Sequence, residues 1–174
     1  MSRKPKLILP KALATAAALL LFSVVHQHLS GASARAGGGN FAGQVRTAVV
    51  QRVVDGDTVV LDTRERVRYI GMDTPELHHP RKPVQAYARE AMEFNRNLVE
   101  GRKIRLEFDV ERHDKYGRLL AYVYLEDGTF VNAQLVRQGY AQLLTIPPNV
   151  KYVEVFRKYQ QEAREAGRGL WGKR

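Results

Sequence analysis

The chain has 174 residues, with 28 Lys and Arg against 18 Asp and Glu, a formal charge of +10, and no cysteine. That length fits one compact domain plus an extension. Without thiols there is no disulfide framework, zinc–thiolate centre or cysteine nucleophile. The basic excess favours a polyanionic partner, which charge alone does not resolve into nucleic acid or an acidic surface.

Residues 1–34 read as a leader rather than as part of the fold. Arg3, Lys4, Lys6 and Lys11 precede a charge-free, mostly apolar run from Ala12 to Val25. Ala32-Ser33-Ala34 or Ala34-Arg35-Ala36 then offers a small-x-small cleavage site. This is the layout of a secretory signal peptide. An uncleaved membrane anchor is the weaker alternative, because a span takes about 20 residues. Cleavage removes four cations and no acid, so +10 becomes +6 and the basic excess survives export. The expected location is secreted or periplasmic. Residues 35–43, "RAGGGNFAG", read as a flexible linker, and 44–174 as the globular domain.

From Val45 to Val54 the sequence is rich in β-branched residues and predicts a first strand. Asp55-Gly56-Asp57 is turn chemistry. Thr58 to Leu61 is a second strand and Arg66 to Met72 a third. Pro83 precedes a helical stripe of Val84, Tyr87, Ala91, Phe94 and Leu98, stopped by Gly101. Lys103 to Val110 alternates as a fourth strand and Leu119 to Leu125 is a fifth. Asn132 is placed to cap a short helix that ends at Gly139. A third helix carries Tyr152, Val155, Phe156, Tyr159 and Ala163, and Trp171 packs the tail onto the core. Five short strands with a helix inserted after the third predict an α+β domain that is mainly β: a five-stranded OB-fold barrel with three helices, a scaffold suited to binding nucleic acids.

In a three-stranded meander the first turn lies near the end of the third strand, so Asp57 and Asp73 converge at one rim. Converging carboxylates repel unless a cation neutralises them. Hard oxygen donors without His or Cys favour Ca²⁺ or Mg²⁺ over zinc, and the Thr74 carbonyl is a third candidate oxygen. Taken alone, the pair is also what a hairpin turn and a strand-end turn former look like. Pro75 stiffens the segment that leaves Asp73, which suits Glu76 to act on a water beside a metal. Strict alternation puts Arg68 and Asp73 on opposite faces, so the chain has to bend between them, with Gly71 as the expected place. Arg68 and Arg118 together form a candidate phosphate clamp. His78 and His79 read as loop residues.

The motifs "DGDTV" (55–59), "VRYIGMDTPE" (67–76), "HP" (79–80), "DKYGRLLAYVY" (114–124), "VNAQLVRQGYA" (131–141) and "GLW" (169–171) occur in the order and spacing of the thermonucleases. From about Ala48 to Trp171 the chain resembles the staphylococcal nuclease family. The resemblance implies Ca²⁺-dependent hydrolysis of DNA and RNA that leaves 3′-phosphates; single-stranded or locally opened nucleic acid is the expected partner, no protein partner is implied, and a monomer is expected. It also implies that Asp57, Asp73 and the Thr74 carbonyl bind the calcium and that Glu76 positions or activates the water. Arg68 and Arg118 match the catalytic arginines, and Lys115 and Tyr116 match positions beside the nucleotide's terminal phosphate. One departure stands out: the family's two tyrosines near the nucleotide pocket are replaced by the neighbourhood of Thr145 and Ile146. Tyr140 and Tyr152 are the candidate substitutes, and packing of both in the core is the competing reading. The alternatives are a noncatalytic nucleic-acid-binding barrel, which is expected to lose one of the five key side chains, and an envelope-associated protein tethered by residues 12–25.

Overall fold

The computed structural model describes residues 41–77 and 83–172. The expected leader, all but the end of the linker, and His78 and His79 lie outside the described residues.

The elements run Val45–Asp55 (β1), Thr58–Leu61 (β2), Arg66–Tyr69 (β3), Met72–Asp73 (β4), Ala88–Val99 (α1), Lys103–Glu107 (β5), Leu119–Leu125 (β6), Val131–Arg137 (α2), Gln142–Leu143 (β7) and Val153–Glu165 (α3). β1, β2, β3, β6 and β5 close into a barrel, in that order. With three helices packed on it, this is the expected OB-type α+β domain.

Closure depends on β1, which is long enough to serve two neighbours. Val45–Val49 pair antiparallel with β5, while Val50–Asp55 pair with β2. Two register shifts, at Val50/Arg52 and Val53/Asp55, mark where the strand bends from one partner to the other. A bulge leaves backbone groups outside the ladder, and here the Val53 N–H donates to Glu100 Oε2 at 2.8 Å. β3 and β6 complete the circuit as a parallel pair, Val67 opposite Leu119 and Tyr69 opposite Ala121. The alternating residues Val50, Val59, Leu61, Val67, Ile104, Leu106 and Val123 fill the interior.

Four expectations need correcting. The third strand stops at Tyr69 rather than Met72, because Gly71 adopts φ +83° and turns the chain. The chain then pairs for two residues with β7, Met72 opposite Leu143 and Asp73 opposite Gln142. A two-residue ribbon carries no periodicity that a sequence reading can detect. The fourth strand leaves the ladder after Glu107, although Phe108 stays buried. Asp109 holds the departing chain, accepting from Val110 N, Tyr122 Oη and Lys151 N.

The first helix starts at Ala88, after Tyr87 in a left-handed conformation, so Val84 lies outside the helix and is 49% exposed. Asn132 is not a cap. It sits inside α2, wholly buried, accepting from Val123 N at 2.9 Å and donating to Ile70 O at 3.0 Å. The barrel leaves those two groups without a ladder partner, and each would cost about 1–3 kcal/mol if left unsatisfied, more than a typical cap contributes.

Gly71 is required twice over. Its positive φ disfavours any side chain, and a Cβ there would run into the Phe156 ring on α3. Gly71→Ala is expected to lower stability by roughly 2–4 kcal/mol, combining left-handed strain with overpacking. Urea denaturation measures this directly, and a loss below about 1 kcal/mol would contradict the packing described.

Candidate active site

The β1–β2 turn is held from several directions. Asp57 N donates to Asp55 Oδ1 at 3.2 Å, and Tyr69 N donates to the Asp57 carbonyl at 2.9 Å. Asn95 of α1 is fully buried and touches the ends of β1 and β3, accepting from Tyr69 Oη at 3.0 Å and donating to Asp55 O at 3.4 Å. The Asp57 carboxylate is 5% exposed. Its Oδ2 accepts from both the N–H and the hydroxyl of Thr74 at 2.9 Å, and its Oδ1 from the Thr58 hydroxyl at 3.1 Å. Gly56 permits this approach, since a Cβ there would stand 2.7 Å from Thr74 Cγ2. The glycine of "DGD" is therefore more than hairpin chemistry.

Arg68 spans the two acids. Its Nη1 ion-pairs with Asp57 Oδ2 and its Nη2 donates to Asp73 Oδ1 at 2.7 Å. The bend at Gly71 is what allows residues five apart on a strand to meet, as expected. The Nη1 contact is an ion pair without hydrogen-bond alignment, so a buried donor is left without a hydrogen-bond partner.

Arg118 is held separately. Its Nε donates to Asp114 Oδ2 at 2.6 Å, while Asp114 Oδ1 accepts from the backbone N–H groups of Tyr116 and Arg118. Burial pushes the Asp114 carboxyl upward, but these hydrogen bonds outweigh it and hold the group below its usual range. One carboxylate thus shapes the loop and aims the guanidinium. Arg118 also lies 5.6 Å from the centre of the exposed Tyr116 ring, and Lys115 Nζ lies 5.0 Å from it.

Arg68, Arg118, Lys115 and Tyr116 line one cavity of about 510 Å³, whose other wall includes Leu144 and Ile146. Asn149 fixes that wall by exchanging two hydrogen bonds with the Glu111 backbone, at 2.8 and 2.9 Å. Ile146 is 62% exposed at the lip, whereas Thr145 is not among the lining residues. Tyr140 and Tyr152 pack elsewhere. Tyr140 lies 5.0 Å from the Phe94 ring, and Tyr152 lies 4.6 Å from the Tyr122 ring with its hydroxyl on Glu107.

Glu76 is exposed and follows Pro75 out of the site. Gln85 grips its backbone from across the intervening loop: Glu76 N donates to Gln85 Oε1 at 3.0 Å, and Gln85 N donates to Glu76 O at 3.1 Å. The carboxylate is left free of this clasp.

Three carboxylates, at 55, 57 and 73, gather around a single guanidinium. Among the described residues Arg68 is the cation ion-paired to Asp57 and Asp73. Burial first, and then the charge of Asp57, push Asp55 up to about 7. Burial also raises Asp73, against the opposing pull of Arg68 and a hydrogen bond from Gln142. A dication would reverse that penalty and release the misaligned Arg68 donor. Among the described residues no three His, Cys, Asp or Glu side chains form a ready cage. Asp57, Asp73 and the Thr74 carbonyl are the candidate donors, oxygen ligands of the hard type that suits Ca²⁺.

Sequence reasoning picked out the acids and arginines by type and missed their supports. Asp55, Asn95 and Gln85 act through contacts 2 to 40 positions away in the chain. Asp114 was detectable within "DKYGR", because an Asp four residues ahead of an Arg in a glycine turn is a recognisable side-chain-to-backbone motif.

A closed five-stranded barrel with three helices, two acids bridged by one arginine and a second arginine on the same cavity as the first, defines the class: a small α+β domain of the OB type. The family model "Staphylococcal nuclease homologue" matches residues 66–173. Thermonuclease from Staphylococcus intermedius is 44% identical over 126 residues, spanning 71% of this chain and 74% of its own. Thermonuclease from Staphylococcus hyicus is 38% identical over 158 residues, spanning 89% and 92%. Endonuclease YncB from Bacillus subtilis (strain 168) is 42% identical over 129 residues, spanning 71% and 61%. The chain belongs to the staphylococcal nuclease family.

Proposed function

We propose that this chain is an exported, Ca²⁺-dependent nuclease that hydrolyses phosphodiester bonds of DNA and RNA with little sequence preference and leaves 3′-phosphate ends. The observation that carries the reading is the placement of Arg68: one guanidinium lines the large cavity together with Arg118 and also contacts both acids. A phosphate drawn to Arg68 is thereby brought to the candidate calcium ligands.

When bound, calcium would supply Lewis-acid charge to a phosphoryl oxygen and neutralise Asp57 and Asp73. The chain's own residues do the rest. Arg68 and Arg118 hold the phosphate and stabilise the charge that develops on it. Glu76 takes a proton from, or orients, the attacking water. Lys115 and Tyr116 meet the neighbouring nucleotide at the cavity mouth. Leu144 and Ile146 offer that nucleotide's base an aliphatic surface where the family presents tyrosines. Stacking on aromatics contributes about 1–3 kcal/mol per base, so base discrimination here should be shallow. Export rests on the leader-like composition of residues 1–34 and predicts a mature N-terminus near Ala34 or Ala36, readable by mass spectrometry.

The deciding experiment is hydrolysis of single-stranded DNA and RNA by the purified protein, with millimolar Ca²⁺ or a calcium chelator. Calcium-dependent release of 3′-phosphate ends is expected. Because the contacts are mainly to phosphate, cleavage should fall as salt rises and show no recognition sequence. Binding without hydrolysis under any divalent ion would overturn the reading in favour of a noncatalytic barrel.

A further inference from the structure

A second cavity, of about 180 Å³, lies on the other side of the Gly71–Pro75 segment. Asp73, Thr74 and Pro75 line it, whereas Arg68, Gly71 and Met72 line the larger one. The hydrogen-bonded Arg68–Asp73 pair is thus the partition, with the arginine on one cavity and the aspartate on the other. A phosphodiester held at that partition has two ester arms, and each arm has one cavity to enter. We propose that the smaller cavity is a subsite for the nucleoside on the opposite side of the scissile phosphate from the one in the large cavity. The proposal rests on the nuclease reading and deepens it.

Size and lining define the occupant. The large cavity is within the range of about 300–1,000 Å³ usual for small-molecule sites, and the small one falls below it. It therefore takes the base of that nucleoside rather than a whole nucleotide. Among the described residues its only charged lining side chain is the acid Asp73, which does not favour a phosphate there. Its walls are the apolar surfaces of Pro75, Ala86 and Leu170 and the amides of Gln85 and Gln142. Apolar walls accept the face of a base, and primary amides both donate to and accept from its edges, so every base is tolerated.

The two amides also reach the chemistry. Gln85 grips the backbone of Glu76, and Gln142 lies directly opposite Asp73 in the β4–β7 ribbon. A base in this cavity therefore presses on the groups that position the water-handling carboxylate and a calcium ligand. Occupancy should raise kcat as well as lower KM, and a substrate with two full nucleosides should be cut faster than one truncated on this side.

The test uses short oligonucleotides with one cleavable linkage and an abasic sugar on either side of it. Turnover is compared for the parent, Ala86→Phe and Leu170→Phe, which fill the cavity from opposite walls and leave Asp73, Glu76 and both glutamines in place. On one side of the linkage, loss of the base is expected to cost the parent about tenfold in kcat/KM and each variant less than about twofold. Loss of the base on the other side should cost all three proteins equally. Equal base sensitivity of parent and variants at both positions would overturn the subsite. Failure of the parent to cut any of these substrates would instead count against the nuclease reading. Two variants from separate segments keep a folding defect in one from mimicking the effect.

Discussion

Glu76→Gln is expected to lower kcat roughly 10²–10⁴-fold while leaving nucleic-acid and Ca²⁺ affinity close to parental. The substitution preserves shape and changes only the ability to take a proton. The backbone clasp by Gln85 does not involve the Glu76 side chain, so the loop geometry should survive. Single-turnover kinetics alongside equilibrium binding to a non-hydrolysable oligonucleotide separate chemistry from affinity. A variant with near-parental turnover would remove Glu76 from the reaction. A variant that loses Ca²⁺ binding would place its carboxylate among the metal ligands instead. Gln85→Ala is the useful comparison, because it keeps the carboxylate and loosens its support. Its loss should be smaller than that of Glu76→Gln, and restored in part by Gln85→Asn if the clasp is the cause.

The chain made its barrel readable because the barrel strands alternate and are separated by turn residues, so burial on one face is written into the order of residues. The convergence of Asp57 and Asp73 followed from meander geometry, and the bend at Gly71 needed to bring Arg68 to them followed from strand alternation. Asn132 shows where such reasoning stops. An Asn before a helical stretch is read as a cap from local chemistry. Its actual partners, Val123 N and Ile70 O, become neighbours only once β3, β6 and α2 have packed together. The β4–β7 ribbon is hidden for the same reason: its two residues per strand are specified by contacts from Gly71 to Leu144 and from Gln160 to Leu143, not by any pattern. At the site, residue types singled out the candidate acids and arginines, while the supports at Asp55, Asn95 and Gln85 depended on the fold.

Arg118→Lys should remove roughly 10³–10⁵-fold from kcat, the range seen when an arginine that stabilises a transferring phosphoryl group is lost. Lysine keeps the charge, but it is a point donor and lacks the planar fork that meets two oxygens at once. The way Arg118 is held sharpens the expectation. Asp114 engages Nε, which leaves both terminal nitrogens for a phosphate in the cavity shared with Arg68. A lysine would place its single nitrogen against Asp114 Oδ2, so the charge sits on the aspartate and no planar pair of N–H groups faces the phosphate. Asp114→Asn tests this division of labour, because an amide retains the Oδ1 acceptor for the Tyr116 and Arg118 N–H groups and removes the charge that pairs with Nε. The expected result is a smaller fall in kcat than for Arg118→Lys, with KM for substrate little changed. Combining Asp114→Asn with Arg118→Lys should then cost little more than Arg118→Lys alone, since the aspartate acts through the arginine. Full additivity of the two losses would give Asp114 an independent role in the reaction.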